Sequence, residues 1–541
     1  MFQRRPRAWA LRLGIWGAWA CLACAAAASQ GAAAPASSTP KSGGTLVFGR
    51  GGDSVGLDPA GRTDGESLNV TDMIFDNLVT FKPGTTEVMP WLAKSWEISK
   101  DGKTYTFHLV EKATFTDGTP VNADAVVYSF KRQMDKNSPA YKLGGPYEYF
   151  EAMGLSKLLK DVVKVDDHTV RFELAKPNAP FISTLAMQAF AIVSPTAVAK
   201  YKRDFAFHPV GSGPYKLRVW EKNQRLVLTA NPDFWGPKPY LKTIVIRSIP
   251  DNNTRLQEMM AGNLHVMDNP DTNGIKALEQ RLGNKVKFAK APGFNVGYLA
   301  LNTEKKPFDN VLVRRAIAHA INKQAIVSGI YNGYGIPAKN LLPPTIWGYN
   351  NDIKDYDYNP AKAKELLKQA GYPHGFTTDL WAMPVPRPYM PDGRKVAEAI
   401  QGDLAKVGIK AKIVSYEWGT YLQRTEMGEH GMALMGWTGD IGDPDNFLYV
   451  LLDKDNAVKP AQNISFYKSD KLHKILIQAQ VEQDHAKRIA LYREAQVIIH
   501  DDVPLVPIAH GVEIVPMKDT VEGFKLDPTG RRRFTGVWLS R

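Results

Sequence analysis

The segment Gly52-Asp53-Ser54-Val55-Gly56 matches the GxSxG pattern of a serine nucleophile elbow and follows an apolar stretch, Thr45 to Gly49, that reads as a strand. An elbow of that kind turns straight into a helix, which lifts the hydroxyl into the open. Here Leu57-Asp58-Pro59 follows, and a residue before proline is held extended, so a glycine-rich loop at a strand end is the better reading of Ser54. Ser465-Phe466-Tyr467-Lys468 matches SxxK without a companion motif. The histidines are dispersed: the nearest pair, His500 and His510, misses the i, i+4 spacing that sets two metal ligands on one helix face. No HExxH, Cys/His cluster or Walker A sequence occurs, and Gly333-x-Gly335 follows a helical stretch where a dinucleotide loop needs a strand. These residues point to no catalytic group, no metal site and no cofactor, and so to a protein that binds rather than converts.

At 541 residues the chain is several times the length of a single packed core, and its 44% hydrophobic and 23% charged residues exclude a disordered or fibrous whole. A net charge of +13 invites a nucleic-acid partner, yet Lys and Arg are scattered, and outside the N-terminus the only basic run is Arg531-Arg532-Arg533. No nucleic-acid partner is therefore expected. Residues 1–28 carry Arg4, Arg5, Arg7 and Arg12, then an apolar stretch from Leu13, then small residues, the layout of an export signal cleaved after Ala28. Both cysteines, Cys21 and Cys24, lie inside it, so the mature chain has no disulfide; a lipid anchor on Cys24 is the rival reading of this segment. Residues 29–42 form a small, Pro-containing linker, and no later stretch reaches the roughly 18 apolar residues of a membrane span.

The elements that would position a site mix hairpins with α/β units. Asp101-Gly102 divides two alternating segments and predicts a hairpin; Asp161 to Leu174 predicts a second. Asn122 reads as a helix cap between them. Asn359-Pro360 opens a helix that Gly371 stops. A strand over 377–383, a helix striped by Val396, Ile400 and Leu404, and a strand over 409–418 predict a parallel pairing with a right-handed crossover. Helices near 471–480 and 485–500 precede an apolar strand at 503–510.

From Pro90, the run PWLAKSWEISKDGKTYTFHLVEKATFTDGTPVNADAVVYSFKR resembles the extracellular solute-binding proteins of peptide and nickel ABC importers. The likeness continues through VGSGPYKL, NPDFWG, GFNVGYLALNTEKKPFDNVLVRRAIAHAINK and AKNLLPPTIWGYN. LWAMPVPRPYMP, VSYEWGTYLQR and MGWTGDIGDPDNF are similar to its dipeptide-binding branch. The resemblance implies an α/β, two-lobed periplasmic-binding-protein clamshell of type II, in the peptide-binding cluster, with an extra inserted domain. Lobe I would comprise 43–85, 209–297 and 513–541, the inserted domain 86–208 and the other lobe 298–512. It further implies a monomeric, periplasmic carrier that captures dipeptides and delivers them to an inner-membrane ABC permease with its ATPase subunits. Haem, 5-aminolevulinate or a longer peptide on the same scaffold is the alternative, with a secreted hydrolase using Ser54 the remaining one.

A dipeptide is a zwitterion, and each charged end needs a countercharge once enclosed. The resemblance assigns Arg387 to the ligand carboxylate and Asp440 to its ammonium. Trp437, Thr438 and Gly439 would offer backbone hydrogen bonds, Trp418 and Tyr389 would wall side-chain pockets, and the loop 63–67, with Gly65, Glu66 and Ser67, would close the cleft. Glu66 departs from the family pattern and is expected to add an ammonium contact or change ligand preference. The segment 451–467 departs too, lacking the cysteines of relatives.

Overall fold

Three sheets organise residues 39–540, the part of the chain that the computed structural model describes. The expected export signal and its expected cleavage position after Ala28, both cysteines and most of the expected linker lie outside the described residues.

The first sheet has seven strands, in the order Val286–Ala291, Glu513–Lys518, Val266–Met267, Thr45–Arg50, Thr243–Ser248, Arg225–Ala230 and Tyr215–Glu221. Its alternating residues bury Leu46, Phe48, Leu226, Leu228, Ile244 and Ile246 in a core of their own. A four-stranded antiparallel sheet is formed by the two expected hairpins, Ala93–Ile98 with Thr104–Leu109 and Leu159–Asp166 with Thr169–Leu174. Gly102 takes φ +67° in the first turn, which a side chain would oppose. Asn122 caps the helix Ala123–Met134 by accepting from the Ala125 N–H at 3.1 Å, and Val126 and Phe130 pack that helix into the sheet's core.

The third sheet has six strands, in the order Gly335–Pro337, Leu505–Gly511, Asn295–Leu301, Met432–Thr438, Thr377–Trp381 and Lys410–Val414. Thr377–Trp381 and Lys410–Val414 run parallel, with the helix Gly393–Ala405 between them in sequence and Val396, Ile400 and Leu404 fully buried. The second of these strands is shorter than the predicted 409–418. Glu417 accepts from the Thr420 N–H at 3.3 Å and starts the helix Trp418–Glu426, so Trp418 stands in a first helical turn, not on a strand. Asn359 and Pro360 open the helix Pro360–Gln369, and Gly371 takes φ +90° just beyond it.

The chain passes twice between the seven- and six-stranded sheets, once from Ala291 to Asn295 and once from Gly511 to Glu513. The passages are tied together. Asn295 donates to the Gly511 carbonyl at 3.1 Å and accepts from the Gly511 N–H at 2.9 Å, while His510 Nδ1 lies 2.8 Å from the Asn295 carbonyl. A Cβ at Gly293 would sit 1.7 Å from the Gly511 carbonyl oxygen, so the close approach requires glycine there.

Candidate functional site

A cavity of about 160 Å³ lies where residues of all three sheet regions meet. On one side, Asp64 caps the helix Gly65–Ile74 by accepting from the Ser67 N–H at 2.9 Å. That cap turns Gly65 and Glu66 toward the cavity. Ser67 points away, accepting from the Val55 N–H at 2.9 Å, and is not part of the cavity wall. Opposite, a tight turn in which Arg387 and Met390 exchange backbone hydrogen bonds presents Arg387 and Tyr389. Arg387 donates both terminal nitrogens to Glu66, at 2.9 and 2.6 Å, and stacks 5.4 Å from the Trp418 ring centre. This two-point ion pair links the helix beside the seven-stranded sheet to the loop leaving the six-stranded one. A ligand carboxylate at Arg387 must therefore share the guanidinium with Glu66 or displace it. Glu66, expected to add an ammonium contact or change ligand preference, bonds the arginine in this structure.

The strand Met432–Thr438 forms another wall. Its pairing with Asn295–Leu301 runs to Thr438, whereas its pairing with Thr377–Trp381 ends at Ala433. Along the second edge Met435, Gly436, Trp437 and Thr438 line the cavity. A Cβ on Gly436 would come within 2.2 Å of the Tyr389 ring, so glycine lets that ring lie against the strand. Gly439 is not at the wall: its N–H donates to the Phe294 carbonyl at 2.9 Å, and a Cβ there would strike the Phe294 ring at 2.3 Å. Asp440 follows at the strand's end. It accepts from the Tyr149 hydroxyl at 2.8 Å and from Asn446 Nδ2 at 3.3 Å, and among the described residues it has no cationic partner within ion-pair distance, Arg531 being paired with Asp72. Burial pushes its pKa up to about 6, against the opposing pull of the Tyr149 hydrogen bond, Arg531 and Asn446.

Several wall groups have unused hydrogen-bonding capacity. Gln188 Nε2, Trp418 Nε1 and Gln462 Nε2 are buried donors without an acceptor, and Asn269 Oδ1 is a buried acceptor without a donor. Arg532 also reaches the wall but is held by Asp268 and Glu513 at 2.8 and 3.0 Å. Arg531 and Arg533 both pair with Asp72, so the one basic run is an internal brace. Tyr149, Gln188 and Glu426 are wall residues that sequence reasoning missed. For Tyr149 and Gln188 no local signal exists; for Glu426 one does, because Trp418, Leu422, Thr425 and Glu426 fall on one helical face.

Ser54 is buried, donating to the Glu66 carbonyl at 2.9 Å and accepting from Arg50 Nη2 at 2.9 Å. No hydrogen bond joins it to a histidine among the described residues, and a short turn at Pro59–Gly61 follows instead of an elbow helix. The fold also gathers Asp453, Asp455 and His473, which the dispersed sequence positions concealed. Each has protein partners: His473 bonds Asp453, and Asp455 pairs with Lys157.

A two-point charged contact and an open strand edge, both at one partly open cavity of mixed polar and apolar lining, define a binding protein for a small solute. The chain belongs to the family described as bacterial extracellular solute-binding proteins, family 5 Middle, matched over residues 87–459. It is 44% identical over 506 residues to the dipeptide-binding protein of Escherichia coli K12, covering 91% of this chain and 94% of the relative. A periplasmic binding protein of Helicobacter pylori in complex with the peptide STSA superposes with a TM-score of 0.87 at 45% identity, covering 93% of this chain and 99% of that one. A dipeptide-binding protein of Pseudoalteromonas in complex with Met-Leu gives a TM-score of 0.88 at 33% identity, covering 92% and 100%. The fold is thus the type II periplasmic-binding-protein clamshell. No helix among the described residues is long and apolar enough to cross a membrane.

Proposed function

We propose that this protein is the substrate-binding component of an ABC importer, capturing dipeptides in the periplasm without converting them. The observation that carries the reading is the free edge of Gly436–Thr438, flanked by Arg387 on one neighbouring loop and Asp440 at the strand's end. An extended backbone can add to that edge while its carboxylate meets a guanidinium and its ammonium a carboxylate. Charges at both ends measure the ligand, because each added residue lengthens an extended peptide by about 3.3 Å and separates one end from its partner. Relatives at 44% and 33% identity, matched over about nine-tenths of this chain, that are named for dipeptide binding or solved with a bound dipeptide support the same reading.

In this reading the seven-stranded sheet belongs to lobe I, made of 43–85, 209–297 and 513–541. The four-stranded sheet belongs to the inserted domain at 86–208 and the six-stranded sheet to the lobe at 298–512. Ligand bridges the lobes and shifts an open-to-closed equilibrium by no more than its differential affinity for the two states. The closed monomer docks on an inner-membrane permease served by ATPase subunits. Residues 1–28 direct export and are removed, or Cys24 carries a lipid anchor.

Native mass spectrometry of the purified protein, with release and identification of what it carries, tests this. Masses matching a mixture of dipeptides are expected. A single non-peptide species, haem included, would retain the transport class and overturn the dipeptide assignment.

A further inference from the structure

The cavity wall holds more carboxyl groups than its guanidiniums pair. Six carboxylates line it, Asp64, Glu66, Asp268, Glu426, Asp440 and Glu513, against three guanidiniums, those of Arg387, Arg531 and Arg532. Glu66 pairs with Arg387, and Asp268 and Glu513 share the single charge of Arg532, while Arg531 is taken by Asp72 outside the wall. Asp64, Asp440 and Glu426 remain without an ion pair, and if Asp440 meets the ligand ammonium, Asp64 and Glu426 are left over.

Glu426 is the unusual member. It is 8% exposed, yet its carboxylate makes no hydrogen bond and no ion pair, whereas Asp64 accepts from Ser67 and Asp440 from Tyr149 and Asn446. It is also the last residue of the helix Trp418–Glu426, where the backbone dipole opposes negative charge. Glu148, on the helix beside Tyr149, is close enough to repel it and likewise has no bonded partner. Arg62 attracts both electrostatically, but its side chain makes no ion pair with either, and its Nε is buried without an acceptor. Mutually repelling carboxylates in a largely desolvated setting are costly when ionised unless a cation joins them. Burial, with Glu148 and Asp64 adding to it, pushes the Glu426 pKa up, and burial and Asp64 push that of Glu148 up; Arg62 opposes both shifts. Gln462 Nε2, beside Ala461, whose N–H donates to the Glu426 carbonyl at 2.9 Å, is a buried donor with no acceptor among the described residues, so polar capacity at this end of the cavity is unused.

We propose that Glu426, with Asp64 and Glu148 behind it, forms a subsite for a cationic ligand side chain, so that the protein selects dipeptides carrying lysine or arginine. This rests on the dipeptide reading above. The side-chain ammonium or guanidinium would draw Glu426 into its ionised form and supply its countercharge, and the divergent segment 451–467, which brings Ala461 and Gln462 to this end, would shape the pocket.

Calorimetric titration of the purified, dialysed protein with Ala-Ala, Ala-Lys and Lys-Ala separates the outcomes. At least one lysine dipeptide is expected to bind about tenfold or more tightly than Ala-Ala, and Glu426→Gln is expected to shrink that ratio to about threefold or less. Lysine dipeptides binding no better than Ala-Ala, or a preference unchanged in Glu426→Gln, would overturn the subsite while leaving the dipeptide reading intact. Failure of all three to bind would overturn both.

Discussion

Asp440 and Arg387 differ in what the protein already supplies to them. Arg387 has a full-strength partner in Glu66, whereas Asp440 has only neutral donors. Their losses should therefore read differently. Asp440→Ala leaves a ligand ammonium unpaired and should weaken dipeptide binding by about 2–5 kcal/mol in a calorimetric titration. Arg387→Ala should do likewise and also lower the melting temperature, because it strands Glu66, buried to 6% side-chain exposure. The pKa of Asp440 adds a pH signature. Only its ionised form attracts an ammonium, so affinity should hold above about pH 6 and fall as pH drops through that value. The stability sign is opposite. A carboxyl whose folded pKa is raised from 3.8 to about 6 withdraws stability as pH rises through that window. Asp440→Asn should thus raise the melting temperature at pH 7, by about 1–3 °C for a chain of this size, while losing affinity. A melting temperature unchanged or lowered would show that the Tyr149 and Asn446 hydrogen bonds outweigh burial.

At the scale of elements, two features hold the cleft in register. The first is the paired crossing at Asn295 and Gly511, where one side chain satisfies both polar groups of a buried glycine. Asn295→Ala orphans that N–H and carbonyl together and should destabilise the fold by about 2–4 kcal/mol, measurable by denaturant unfolding. The second is the strand end at Gly436, which accommodates Tyr389. Gly436→Ala should push that ring into the cavity and lower dipeptide affinity more than it lowers stability. Local spacing foretold much of this framework. Asn122, Asn359-Pro360, Gly102 and Gly371 act where their capping and turn chemistry places them. The strand predicted over 409–418 overran because Glu417 looks like one more alternating polar residue until its side chain caps the next helix.

For the whole molecule, two contacts join separate sheet regions across the cavity: Glu66 with Arg387, and Tyr149 with Asp440. Both use residues that would have to engage a ligand's ends. If ligand bridges the lobes, these contacts compete with it or close the cleft alongside it. Glu66→Ala should therefore change the open-to-closed balance, read as a larger radius of gyration by small-angle scattering without peptide. Unchanged scattering, with the variant folded, would exclude the pair as a clamp.

Read alone, the chain determined its element types, its lack of any sequence-local catalytic or metal signature and, through runs such as PVPRPY and GWTGD, the family to which it belongs. Those properties depend on neighbours in sequence: a cap reaches two or three residues, a turn spans four, and a motif is contiguous. Only the tertiary structure decided that Glu66 bonds Arg387 across 321 positions, that Tyr149 meets Asp440 across 291, and that Arg531-Arg532-Arg533 is spent on internal carboxylates. It also decided that Glu426 is buried without a partner. Charge pairing acts through space over a few ångströms, and nothing in the order of residues along a chain records which side chains the packing of three sheets will bring that close.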